Sequence, residues 1–110
     1  MTRYWSILRT KRDEMGNYKL TPDAEADLYR IWIRGFREYG ERQADKYYAA
    51  FFDRFEQLTE NPYLYQSVSH IREGYRRSVC GVDSIYYRIN GDTVEIMNIL
   101  GRQDIDEKLS

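Results

Sequence analysis

At 110 residues the chain is sized for one domain, and with 42% hydrophobic and 32% charged residues it has a globular composition, which excludes a disordered chain. Its 17 basic and 18 acidic residues give a formal charge of -1, which excludes a global attraction to nucleic acid or acidic membranes and leaves room only for a local patch. The single cysteine, Cys80, excludes a disulfide within the chain, no apolar run approaches the ~20 residues of a membrane helix, and the first apolar piece, YWSIL, is shorter than the ~7–15 residues of a signal core; a cytoplasmic protein without membrane contact is expected.

Residues 1–14 lack a clean period and carry Arg3, Arg9, Lys11 and Arg12 against two acids. Met15 reads as an alternative start. Residues 1–14 are therefore set apart as an N-terminal extension, non-native or disordered, and 15–110 are expected to form a single domain. A short strand is expected at Asn17–Leu20. Thr21-Pro22-Asp23 then reads as a helix start: a hydroxyl cap, a proline suited to the first turn, and acids at the positive end of the dipole. Ala24, Leu28, Ile31, Trp32 and Tyr39 recur at helical spacing as a core face. Gly35 lies near that face and suits a close helix crossing, and Gly40 ends the helix.

A second helix follows at once. Ala44, Tyr47, Tyr48, Phe51, Phe52, Phe55 and Leu58 form one broad stripe, which reads as core rather than cofactor site, and Asn61-Pro62 stops it. Arg42, Asp45, Lys46, Arg54 and Glu56 read as a solvated face. Tyr63 to Gly74 reads as a connecting loop. The period then changes to two: Tyr75–Cys80 is a strand, Gly81 a break, Ser84–Ile89 a second strand. Asn90-Gly91 is a hairpin turn. Thr93–Leu100 is a third strand, whose run IMNIL breaks the alternation as an interior strand covered on both faces does. Arg102–Leu109 reads as a polar tail of one or two helical turns. The order β-α-α-β-β-β gives an α+β fold, a helical hairpin packed on a small, mostly antiparallel sheet.

Few residues offer chemistry. His70 and Cys80 stand ten apart with no second Cys or His, which rules out a zinc site made from those alone; Cys80 reads as a small buried residue and His70 as solvated. Asp104 and Asp106 read as surface charge rather than metal ligands, no nucleotide-binding glycine motif is present, and no cofactor is expected. The ribbon IREGYRRSVCGVDSIYYRING remains, basic and then aromatic: a catalytic surface acting on nucleic acid, or two strands with long side chains. Alternation sends Arg76 and Arg77, and Tyr86 and Tyr87, to opposite faces. The eleven tyrosines suit either a partner-binding surface or a core of amphipathic aromatics.

Taken in order, YKLTPDAEADLYRIW, YGERQADKYYAAFFDRFEQLTENP, IREGYRRS, IYYRI and VEIMNILGRQD resemble the ParE-like toxins of the RelE/ParE superfamily over roughly residues 18–104. No single piece is specific; the ordered set is. The resemblance implies the toxin of a bacterial type II toxin–antitoxin module, one that inhibits DNA gyrase and is neutralised by a ParD-like antitoxin in a hetero-oligomer, with DNA reached only through antitoxin or gyrase. The alternative is a RelE-type interferase that cleaves messenger RNA on the ribosome. That chemistry needs a group to take the 2′-hydroxyl proton, one to protonate the leaving oxygen, and cations for the phosphorane. Arg76, Arg77, Arg88 and Arg102 offer charge. Yet no lysine lies between Lys46 and Lys108, no tyrosine or histidine follows Tyr87, and arginine is a poor proton donor or acceptor. A non-enzymatic toxin is the expectation. For the antitoxin, Tyr29, Trp32, Ile33 and Phe36 on the edge of the first helix are the expected contact, the alternative being an edge that widens the core. For gyrase, Arg72, Tyr75, Arg76, Arg77 and the tail from Arg102 to Leu109 are the candidates, with a surface ion pair to Glu73 or a helix acid as the alternative role of Arg72 and Arg77.

Overall fold

In the computed structural model, which describes residues 10–13 and 16–101, Thr21 turns the chain from strand into helix. Its backbone is extended and its Oγ1 accepts a hydrogen bond from Ala24 N at 3.1 Å, satisfying one of the open donors of the first turn. The elements in chain order are β1 (Thr10–Asp13), β2 (Gly16–Leu20), α1 (Pro22–Tyr39), α2 (Glu41–Glu60), β3 (Gln66–Ser67), β4 (Arg76–Cys80), β5 (Asp83–Asn90) and β6 (Thr93–Gly101). They contain the expected β-α-α-β-β-β order and add β1 and β3. The sheet order is β1-β2-β6-β5-β4-β3. Among the described strands only β2 and β6 run parallel, because β2 reaches the sheet's interior before the helical crossover and β6 returns beside it. The expected tail at Arg102–Leu109 lies outside the described residues, as does most of 1–14.

Gly40, at φ 93°, is the only residue between the helices and closes α1 by donating its N–H to Phe36 O at 3.0 Å; a β-carbon would strain that backbone. α1 buries Ala24, Leu28, Ile31 and Gly35, and α2 buries Ala44, Tyr48, Phe51, Phe52, Phe55 and Leu58. Gly35 faces Ala44 across the crossing, where an added Cβ would sit 3.5 Å away. Tyr39 corrects the core face read from spacing. It is 71% exposed, because Gly35 is the last buried residue of α1 and the final turn projects past the core.

The hairpins β4–β5 and β5–β6 turn through Gly81-Val82 and Gly91-Asp92, with positive φ at each glycine and at no other residue type. Asn90 is therefore still in the strand, paired with Thr93. The turn sits one residue later than expected, since a turn with positive φ only at its first position takes glycine there. The broken alternation of IMNIL has two causes. β6 is an interior strand, and the register shifts from Tyr86↔Asn98 to Tyr87↔Ile96, leaving Met97 as an extra residue.

Two apolar clusters flank the sheet. Under the helices lie Tyr18, Leu20, Cys80, Ile85, Tyr87, Val94, Ile96 and Ile99. On the reverse face lie Val68, Tyr75, Tyr86 and Leu100, with Ile71 and Met97 packed against them. The second cluster exists because residues 63–74, expected as a plain connection, fold back: Gln66 pairs with Arg77 and Val68 N donates to Tyr75 O at 2.8 Å.

Candidate partner-binding surface

Beyond Ile96, β6 loses β2 as a neighbour because the chain has left the sheet for α1. Side chains of the helix and its cap take the strand's place. Thr21 Oγ1 donates to Met97 O, Arg30 Nη2 donates to Ile99 O, and Asp27 Oδ2 accepts from Ile99 N, each at 2.9 Å. One turn on, Arg34 Nη2 donates to Asp83 Oδ2 at 2.7 Å, with the carboxylate fully buried. The Tyr47 hydroxyl accepts from Val82 N at 3.2 Å and faces Cys80 O at 2.8 Å and Asp83 Oδ2 at 3.0 Å. Burial raises the Tyr47 phenol above its ordinary pKa, and the neighbouring Asp83 carboxylate adds to the shift. Its bond to Asp83 likewise raises Arg34. These ties fix α1 against the sheet on one flank and leave its other side outward.

That outward side carries the expected strip. Tyr29 is 52% and Phe36 45% exposed, with Trp32 and Ile33 half-buried between them. The Trp32 and Phe36 rings stand 5.2 Å apart, and Trp32 Nε1 donates to Asp45 Oδ1 at 2.8 Å, which fixes the indole at the boundary with α2. A hollow of ≈ 390 Å³ is bounded by Tyr29, Arg30, Ile33, Arg34, Arg37 and Glu38. A second, of ≈ 300 Å³, opens around the end of the hairpin between Tyr39, Gln43, Tyr47 and Val82, and shares Arg34 and Glu38 with the first.

The gyrase candidates are spread over the far edge of the sheet. Arg72 is exposed, its guanidinium 6.0 Å from the centre of the Tyr75 ring. Tyr75 itself is buried in the reverse cluster, 6% exposed. Arg76 Nη1 donates to Tyr65 O at 2.7 Å and its guanidinium lies over the Tyr63 ring at 5.0 Å. Arg77 Nη2 donates to Gln66 Oε1 at 3.3 Å. Arg102 and Leu109 lie outside the described residues. In the middle of the sheet, across β2, β6 and β5, Glu95 accepts from Arg88 Nε at 2.6 Å and meets Lys19 Nζ at 3.6 Å; the bond from Arg88 holds the Glu95 carboxyl below its ordinary pKa. Burial raises the Cys80 thiol, and His70 is exposed. Among the described residues no three His, Cys, Asp or Glu side chains gather as a metal site, and no helix is long and apolar enough to cross a membrane.

Residues 18–105 match the model of a family described as the ParE toxin of the type II toxin–antitoxin system parDE. The chain belongs to the ParE toxin family. It is 31% identical over 94 residues to Toxin ParE1 of Mycobacterium tuberculosis (strain ATCC 25618 / H37Rv), which covers 84% of this chain and 96% of that one. It is 35% identical over 86 residues to Toxin ParE1 of Caulobacter vibrioides, covering 78% and 88%. A solved structure described as the chromosomal ParDE TA system from P. aeruginosa matches with a TM-score of 0.70 at 21% identity, over 81% of this chain and 98% of that chain, and so shares the fold.

Three residues that hold this ParE-family surface in place escape a reading by period. Asp27 and Asp83 each occupy an apolar phase, with Ala24, Leu28 and Ile31 on the helix and with Ile85 and Tyr87 on the strand. An acid at such a position is a signal for a buried partner. Arg54 gives no such signal. It leaves the expected solvated face, donating from Nη1 to Ser78 Oγ at 2.7 Å and Val79 O at 2.6 Å, whereas Asp45 stays exposed while it accepts from Trp32.

Proposed function

We propose that this chain is a non-enzymatic toxin that inhibits DNA gyrase and is neutralised by a ParD-like antitoxin bound over Tyr29, Trp32, Ile33 and Phe36. Family membership supports the toxin role, and the state of the sheet's tyrosines supports the gyrase branch over RNA cleavage. Tyr86 and Tyr87 are wholly buried and Tyr75 nearly so. The Tyr87 hydroxyl donates to Pro62 O at 2.7 Å, and burial pushes its pKa up to about 12 against the opposing pull of Arg76. Arg88, the cation nearest the reverse cluster on β5, is neutralised by Glu95. None of these groups is positioned to exchange a proton with a ribose in solvent. A gyrase poison needs only to bind one state of its target better than another. For that contact Arg72, Arg76, Arg77 and the tail from Arg102 to Leu109 are the proposed surface, with buried Tyr75 supporting Arg72 from beneath.

The deciding experiment compares gyrase supercoiling with messenger RNA cleavage on translating ribosomes, using purified toxin. Supercoiling is expected to be inhibited and messenger RNA to remain whole. Codon-specific cuts, abolished by Arg76→Ala with the fold intact, would instead establish the ribonuclease. Truncation after Gly101 is expected to remove gyrase inhibition and retain antitoxin binding. Residues 1–14 are proposed to be dispensable for both activities, since the family match begins at 18 and β1 adds only four pairs at the outer edge of β2. A loss of antitoxin affinity above about tenfold on their deletion, ~1.4 kcal/mol, would refute this.

A further inference from the structure

The turn that follows α2 is held more firmly than its own side chains require. Asn61 O accepts from Leu64 N at 3.1 Å and Pro62 O from the Tyr87 hydroxyl at 2.7 Å. Tyr63 O and Tyr65 O accept from Arg76 Nη1 at 3.4 and 2.7 Å. The long-range donors come from β4 and β5, so the sheet itself pins the turn. Tyr65 packs inward against the helix-side core, with the Arg54 guanidinium 6.0 Å from its ring. Tyr63 and Leu64 stand in water, 68% and 73% exposed. The Arg76 guanidinium lies over one face of the Tyr63 ring at 5.0 Å. Two large apolar side chains left in water contribute little to the fold. The bonds to their backbone therefore fix what the turn presents, not what it buries.

The charge around the turn narrows the kind of partner. α2 ends at Glu60 with no basic residue in its last turn, and Glu56 and Glu60 are both exposed. The negative end of the helix dipole thus lies beside Tyr63 together with two acids. Arg76, the cation at the turn, spends Nη1 on two carbonyls and its face on a ring. A phosphate backbone would be repelled by the helix end, and Leu64 offers no ring on which a base could stack. An exposed tyrosine beside a leucine, on a backbone already fixed, is instead suited to enter an apolar recess of a folded protein. A basic group on the rim of that recess would meet Glu60.

We infer that Tyr63 and Leu64 are the anchors of the gyrase contact, entering an apolar recess of the gyrase protein with a basic group at the rim toward Glu60. Arg76 serves that contact as a positioning residue, through the turn it holds. The inference rests on the gyrase reading of this edge of the sheet, to which Arg76 already belongs, and adds the residues that carry it.

The test uses the purified full chain and reads inhibition of supercoiling by gyrase, affinity for the antitoxin, and thermal unfolding. Tyr63→Ser combined with Leu64→Ser is expected to weaken inhibition about tenfold or more. Antitoxin affinity and Tm are expected to stay unchanged, since both side chains stand in water. Leu64→Arg, which keeps the Arg76–Tyr63 stack, is expected to weaken inhibition as well. Glu60→Lys is expected to weaken it less, with the difference closing at high salt. Arg76→Ala is expected to weaken inhibition in the wild-type chain and to add little in the double-serine chain, because a residue that acts through the turn loses its effect once the anchors are gone. Full additivity of Arg76→Ala with the double substitution would remove its positioning role. Inhibition unchanged in the double-serine and Leu64→Arg chains would overturn the inference. So would a loss of antitoxin affinity in its place, the dispersal of a toxin dimer, or the loss of a direct affinity for duplex DNA. These outcomes would assign the turn to the antitoxin, to a second copy or to nucleic acid. A wild-type chain that leaves supercoiling untouched sinks the gyrase reading and the inference with it. Wild-type inhibition that the turn variants share sinks the inference alone.

Discussion

Tyr86 and Tyr87 are neighbours in sequence, both wholly buried, on opposite faces of one sheet. Tyr87 lies under the helices in a cluster of sixteen buried residues and gives its hydroxyl to Pro62 O. Tyr86 lies on the reverse face with three other buried residues, and its hydroxyl has no hydrogen-bond partner among the described residues. The helix face is a deep core, and the one hydroxyl it shares with the sheet's tyrosine pair, that of Tyr87, is bonded. The reverse face is a thin cover, closed by a doubled-back loop and bordered by the Lys19–Glu95–Arg88 row. Stability should therefore reside on one face, leaving the other tolerant of change.

The largest test of that contrast is Phe55→Ala. Phe55 is fully buried, its ring 5.3 Å from both Tyr18 and Phe52, so it joins α2 to β2. A loss of about 3–5 kcal/mol is expected in urea unfolding; a cost below that of a reverse-face truncation such as Val68→Ala would invert the comparison. Next is Gly81→Ala. The new Cβ would meet the Tyr47 ring at 2.5 Å, at a φ of 62° that suits glycine. Tyr47 cannot yield without losing Val82, Cys80 and Asp83, so about 1–3 kcal/mol from overpacking is expected, with backbone strain in addition.

The tyrosine pair gives the sharpest test. Tyr87→Phe strands the Pro62 carbonyl and is expected to cost about 1 kcal/mol, whereas Tyr86→Phe removes a buried hydroxyl that bonds nothing and is expected to be neutral or stabilising. Equal losses in thermal unfolding would mean that the faces do not differ in this way. The smallest effect belongs to Glu95. Its folded pKa is depressed, so its contribution is present above the ordinary carboxylate pKa and is lost as pH falls through the folded value. Glu95→Gln is expected to flatten the acid limb of the stability curve and to leave little salt dependence; an unchanged acid limb would show that the row adds nothing.

Much of the architecture was legible by period. The helix start at Thr21, the stop at Asn61-Pro62, the stripe on α2 and the interior character of β6 all follow from local spacing, because a helix or half-covered strand must repeat its apolar residues at its own pitch. The exposed edge of Tyr29, Trp32, Ile33 and Phe36 was legible, with Ile33 and Phe36 lying off the core stripe. Tyr39 was not, since period gives a side and not how far the core extends along it. The reverse cluster was hidden because it depends on a loop returning to the sheet, and no periodicity marks such a return.

The sequence by itself determined both helices and four of the strands, their order, the main core and the family, since each is written in residues close along the chain or in their ordered succession. Only the tertiary structure decided what the long polar side chains meet. Arg54 reaches Ser78, Arg34 reaches Asp83, and Asp27 reaches Ile99 across 72 residues. An arginine has the same local signature whether it ends in water or on a polar group of another strand, and an aspartate in an apolar phase signals a buried partner without saying which. The difference is set by which strand edge the fold leaves open beside it.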